Sequence, residues 1–138
     1  MNWKTFLFNA CFALNCLLIF LSVFDERLQL PGWLQVGGRM HPLVLHFPIV
    51  LLVVVIIWEM LSTPSAENRR IGDALLLSLA FTAVITSMAG LFLSREEGYD
   101  PDTLFVHKWG GVLLSVLSLL WYNYRDTIRK RRFLKYGI

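Results

Sequence analysis

Long apolar runs, repeated four times, constrain this chain more than any other feature. Phe6 to Phe24 carries no charge, Pro42 to Trp58 none before Glu59, Ala74 to Ser94 none, and Leu104 to Tyr124 only Lys108, beside His107 near its start. Crossing a bilayer takes roughly 20 mostly apolar residues, and the backbone must then satisfy its own hydrogen bonds as a helix. The runs therefore predict an all-α fold, an integral membrane four-helix bundle in one domain over residues 1–138. Its spans are expected at about 6–24, 42–61, 73–94 and 103–124, followed by a basic tail over 125–138. A hydrophobic content of 56% and a mean hydropathy of +0.56 exclude an ordinary soluble domain.

The first run follows Lys4 as a signal peptide would, but it is long and has no small-residue cleavage site before Asp25, so it reads as a retained span. Cys11 and Cys16 lie within it, five residues apart, and point roughly 140° away from each other on a helix. Two buried thiols are expected, rather than a disulfide, a metal clip or a lipid attachment, and no Cys-x-x-Cys-His is present for covalent haem attachment. With four spans, the two ends and the middle connection share one side. That side carries nine basic residues, from Lys4, Arg69 and Arg70 to the run Arg125–Lys135, against four, Arg27, Arg39, Arg95 and Lys108, on the other. The imbalance predicts both termini in the cytoplasm. The basic tail suits anionic lipid and not nucleic acid.

Connections and prolines add local detail. Asp25 to Met40 contains Leu28, Leu30, Pro31, Trp33 and Leu34 and reads as an interfacial segment, with Gly37-Gly38 allowing a tight turn into the second span. Pro42 fits a helix first turn. Pro48 removes one hydrogen bond and should free the Val44 carbonyl beside His46, with a bend. Ser62 to Gly72 reads as a polar loop, and the fourth span is expected to begin near Asp100 to Thr103. Thr82, Thr86 and Gly90 recur every four residues, a stripe that allows close approach of a helix or a flat ligand.

Histidine in a membrane segment is costly and usually has a task. All three imidazoles, His41, His46 and His107, lie near the starts of apolar runs. His46 is about 7 Å beyond His41 and His107 about 6 Å beyond Thr103 along their helices, so His46 and His107 are expected at one depth. His41 and His46 diverge by roughly 140°, and a ligand pair must come from two helices. His46 with His107 is the expected pair, with His41 as the alternative to His46. Gly110 and Gly111 follow His107 on its own face and, with Gly90, would leave room for a porphyrin edge. Arg39, Arg95, Lys108 and His41 would meet the propionates, with Phe47, Phe92, Phe105 and Trp109 as apolar walls. Copper or another transition metal is the alternative occupant, and a purely structural interhelical polar contact is the bland one.

The run GRMHPLVLHFPIVLL, then GLFLSREEGYD, then HKWGG resembles an uncharacterised bacterial four-helix membrane domain of the His-Pro-x-x-x-His-Phe-Pro type, found beside or fused to c-type cytochromes and taken to bind haem. The similarity covers roughly Trp33 to Tyr124 and rests on His41, Pro42, His46, Phe47, Pro48, Gly98, Tyr99, Asp100, His107 and Gly111. The resemblance implies one non-covalent haem b. Fused relatives carry a cytochrome c module and this sequence does not, so a redox partner would be a separate chain. The expected protein is a cytochrome b-like electron-transfer subunit, rather than an independent enzyme, of a bacterial inner membrane. Its haem would lie toward the periplasmic side, between a quinol or membrane dehydrogenase and a periplasmic acceptor such as a c-type cytochrome. The outer acids Asp25, Glu26, Glu96, Glu97, Asp100 and Asp102 would suit docking of a basic acceptor. Membership of a larger complex or homo-oligomer is expected. The alternative is a non-redox structural or assembly subunit of a membrane complex.

Overall fold

The computed structural model describes residues 2–27, 31–94, 98 and 100–136, with the backbone alone for Glu26 and residues 128–136. Among these the chain is all helix: α1 (Trp3–Val23), a single 3-10 turn (Asp25–Arg27), α2 (Gly32–Gly38), α3 (His41–Val44), α4 (His46–Leu61), α5 (Ala66–Leu93) and α6 (Pro101–Tyr136). Four helical stretches are long and apolar enough to cross a membrane, with α2, α3 and α4 making up the second. Polar residues start the helices. Asn2 accepts from the Lys4 amide (3.2 Å), Ser65 from the Asn68 amide (3.0 Å), and Asp100 from the Thr103 amide (2.8 Å) with Pro101 next in line. The third long helix begins at Ala66 and not near residue 73, because Ser65 caps it and Asn68 closes the loop by donating to the Thr63 carbonyl (2.9 Å).

Leu45 separates α3 from α4, yet its backbone stays right-handed helical (φ −58°, ψ −31°). The interruption comes from Pro48, which has no N–H to give the Val44 carbonyl. That carbonyl accepts instead from the Thr86 hydroxyl on α5 (3.4 Å), so the freed acceptor expected from the sequence has a partner on another helix.

Helix α5 is the axis of the bundle and packs against α1, α2, α3, α4 and α6. Of its most apolar stretch 44% is buried, against 11% for the second span, so α4 lies on the outside of α5. Leu18, Val84, Leu91 and Val112 join α1, α5 and α6, Cys11 packs with Ala80 and Leu119, and Val55 meets Leu76 and Leu79. Cys11 is buried and Cys16 exposed, so only one of the two thiols enters the core. Lipid supplies no hydrophobic drive between helices, so small residues and polar contacts carry much of the association. Asn15 accepts from the Ser115 hydroxyl (2.8 Å) in the buried middle of the bundle.

An ionic cluster closes the end that bears the chain termini. Arg125 donates to Glu59 (2.6 Å), Asp73 (2.8 Å) and the Arg69 carbonyl (3.0 Å), while Lys4 reaches Asp73 (3.0 Å). All four spanning helices meet there. Arg125 is therefore not the start of an exposed basic tail; it is 2% exposed, and α6 runs on past it to Tyr136. Gly72 has no side chain because an added Cβ would collide with the Arg125 guanidinium.

Candidate functional site

The opposite end holds the histidines. His41 opens α3, and its ring is buried between α5 and α6. Its Nδ1 lies 2.9 Å from the Thr86 carbonyl oxygen. A carbonyl only accepts, so Nδ1 carries the hydrogen, and in the neutral ring Nε2 is then the lone-pair atom. That Nε2 is 3.5 Å from Nε2 of His107 on α6. The ring centroids are 5.7 Å apart and the planes cross at 86°. Gly90 makes the burial possible, since a Cβ there would stand 2.9 Å from Cε1 of His41.

The expected partnership of His46 with His107 is not the one the helices bring together. His41, Pro48 and Val55 are the buried positions of α3 and α4, and seven-residue steps keep them within about 20° of one face. His46 sits roughly 140° from His41 and is exposed. The depth expectation measured His46 from His41 at the top of the second span, whereas the helical backbone is already established at Gly32–Gly38. Register confirms the level of His41: eighteen residues separate it from Glu59, and eighteen separate His107 from Arg125, about 27 Å of helix in each case. Since Glu59 and Arg125 touch, the two histidines also stand at one height.

Other expected residues divide. Gly90 is at the site. Gly111 faces the Ser87 hydroxyl, where a Cβ would stand 3.0 Å away, so it serves helix approach, and Gly110 has nothing within 4 Å of its Cβ direction. Lys108 is engaged by Asp25 (3.0 Å) and the Ser22 carbonyl (3.3 Å), and lies 5.6 Å over Trp109; its ammonium ties α6 to α1. Arg39 is exposed between α2 and α3. Arg95 lies outside the described residues, as do Glu96, Glu97 and Tyr99. Phe47 and Phe105 are exposed and do not wall the histidines, and Trp109 packs on the α1–α5–α6 core.

Two cavities meet at the histidine pair. One of about 260 Å³ runs toward the α5–α6 connection past Leu93, Asp100 and Thr103, and a smaller one of about 70 Å³ runs inward past Pro48, Ala83 and Thr86. Both are lined by His41, Gly90, Leu104 and His107. Together they reach the lower end of the roughly 300–1,000 Å³ range of ligand pockets. Among the described residues no group of three or more His, Cys, Asp or Glu side chains is assembled to hold a metal ion. Reading the sequence missed the role of Thr86, which accepts from His41 through its carbonyl and donates to Val44 through its hydroxyl; its four-residue spacing from Gly90 was the available signal. Glu59, Asp73 and Arg125 were missed as partners, although each is a charge at the edge of an apolar run.

These features define a four-span helical membrane protein with an interhelical histidine pair at one end, His41 buried and His107 exposed, and an ionic clasp at the other. Residues 37–138 match the family of predicted membrane proteins DUF2231. The chain belongs to that family, and the match takes in His41, Gly90, His107 and Arg125. No curated protein and no solved structure matches it.

Proposed function

We propose that the chain is a membrane-embedded b-type haem protein that transfers single electrons, with His41 and His107 as the axial imidazoles. One observation carries the reading: Nδ1 of His41 is anchored on the Thr86 carbonyl while its Nε2 is aimed at Nε2 of His107. A ligating histidine characteristically donates its other ring N–H to a carbonyl, which sets the tautomer and the ring direction. The donor chemistry fits a porphyrin better than a bare ion. Two imidazoles alone complete neither a tetrahedral nor an octahedral protein cage, but they suffice for a group that brings four equatorial donors. His41 and His107 would hold such a group between α3 and α6, where two cavities open beside Gly90. Bound haem would supply a one-electron carrier, and two strong axial ligands would leave no open position for substrate, so electron transfer is favoured over catalysis at the iron.

The basic-residue imbalance supports a bacterial inner membrane with the histidine end toward the periplasm. A quinol or membrane dehydrogenase would then be the donor and a periplasmic protein, such as a c-type cytochrome, the acceptor. Asp100 and Asp102, exposed at that end, suit a basic docking face. An optical spectrum tests the reading. The purified protein is expected to show a Soret band with sharp reduced α and β bands, lost in His41→Ala and in His107→Ala and kept in His46→Ala. Colourless protein after expression with ample haem overturns it. A second reading, a structural polar contact in an assembly subunit, has its own support in the existing chain from Thr86 through His41 to His107, and it requires colourless protein.

A further inference from the structure

Thr86 uses its hydroxyl differently from Thr82, Ser94 and Ser118. Serine and threonine hydroxyls within a helix commonly bond back to a carbonyl three or four residues earlier. Thr82 does so to Ser78 (2.8 Å), Ser94 to Leu91 (2.7 Å) and Ser118 to Leu114 (2.7 Å). Thr86, one turn beyond Thr82 and 3% exposed, turns instead to another helix and donates to the Val44 carbonyl of α3, 3.4 Å away.

That acceptor has lost its own donor. Pro48 has no N–H to give it, and inside a span no water stands in for the missing group. The break comes three residues after His41, yet the backbone at Leu45 stays right-handed helical (φ −58°, ψ −31°). Segment α3 therefore keeps the register of α4 with one ladder bond missing, and α5 supplies a substitute. The same residue also holds the ring, since the Thr86 carbonyl oxygen lies 2.9 Å from Nδ1 of His41. Gly90, four residues on and on the same face, has no side chain to cover that carbonyl. We infer that Thr86 is the positioning residue of the histidine site: its hydroxyl replaces the donor that Pro48 lacks, its carbonyl holds the imidazole, and the two together fix α3 and His41 on α5. The brace exists without any bound group, and its bearing on ligation rests on the haem reading.

A double-mutant cycle tests it. Thr86→Val keeps the shape and removes the hydroxyl, Thr86→Ser keeps the hydroxyl, and Pro48→Ala returns an N–H to the Val44 carbonyl. In mixed micelles without haem, Thr86→Val is expected to shift the unfolding equilibrium roughly three- to tenfold toward the unfolded state, the range for one interhelical polar contact in a membrane. Thr86→Ser should stay within about twofold of the parent, and with Pro48→Ala already present Thr86→Val should also cost less than about twofold, the scatter of independent sites. In the haem-loaded protein, Thr86→Val should raise the dissociation constant of haem by the same roughly three- to tenfold, with Thr86→Ser restoring it. A packing role for the threonine would give one penalty in both backgrounds, so an equal penalty overturns the inference, as does a Thr86→Ser protein no better than Thr86→Val. Haem affinity unchanged in Thr86→Val overturns the claim that the brace positions His41. The cycle found in protein that stays colourless upholds the brace and removes the haem reading alone.

Discussion

Replacing Gly90 by alanine is the sharpest test of how the histidine site is built. The added Cβ would stand 2.9 Å from Cε1, 3.1 Å from Nδ1 and 3.4 Å from Nε2 of His41. Ordinary contact begins near 3.4 Å, so the ring must retreat from α5 by about 0.5 Å. Thr86 is on the same helix, so the retreat also stretches the 2.9 Å contact from Nδ1 to its carbonyl to the edge of hydrogen bonding. Overpacking costs about 1–3 kcal/mol and a weakened hydrogen bond up to about 1.5 kcal/mol, while alanine returns up to about 1 kcal/mol of helix propensity. The net expectation is a loss of about 1–3 kcal/mol. Gly110→Ala is the control, because nothing lies within 4 Å of it; it should leave stability unchanged or raise it by up to about 1 kcal/mol. Unfolding in mixed micelles, followed by circular dichroism, measures both, and if the proposed haem is bound its spectrum should be lost or shifted in Gly90→Ala alone. Equal behaviour of the two alanine variants would refute the claim that Gly90 makes the room for His41.

Three further outcomes follow from the fold. Arg125→Leu strands the Glu59 carboxylate and leaves Asp73 with Lys4 alone at a part-buried four-helix junction, and should cost up to about 3 kcal/mol in the same unfolding assay, whereas the double variant Arg125→Leu, Glu59→Gln should cost less than the sum of the singles. Gly72→Ala should destabilise through the same guanidinium, and Gly37→Ala, with open space around it, should not. Hydrogen bonds from the Thr103 side chain, first, and its amide hold the Asp100 carboxyl below the usual carboxylate range. A lowered pKa stabilises the folded start of α6 above the ordinary carboxylate pKa, and that contribution is lost as pH falls through the lowered value. Amide protection at the start of α6, corrected for the intrinsic pH dependence of exchange, should fall on acidification in the native protein and stay flat in Asp100→Asn, which keeps the cap without the charge.

Much of this was legible in the residues. The number of spans, the all-helical class, the start of α6 at the Asp100–Pro101 cap and the carbonyl freed by Pro48 follow from hydropathy and backbone chemistry, which act locally. The separation of His41 from His46 onto different faces also follows, because helical angle depends only on spacing. What spacing leaves open is which of two diverging faces a neighbour covers. On a helix apolar all round, as α4 is, no amphipathic stripe marks the inner side, so His46 looked as eligible as His41. The charges were misread for a related reason: Arg125 opens a run of basic residues and resembles a solvated tail until Gly72, Glu59 and Asp73 arrive beside it from two other helices.

The sequence by itself determined that this chain crosses a membrane four times, that its histidines must act across helices, and that glycines and prolines would shape their surroundings, since lipid forces the backbone into helices and helices have one geometry. Only the tertiary structure decided that His41 and not His46 turns inward to meet His107, that Gly90 and not Gly110 makes its room, and that Arg125 closes the far end. Those choices depend on the rotation of each helix against α5, which is set by the sum of contacts along its whole length and is written at no single position.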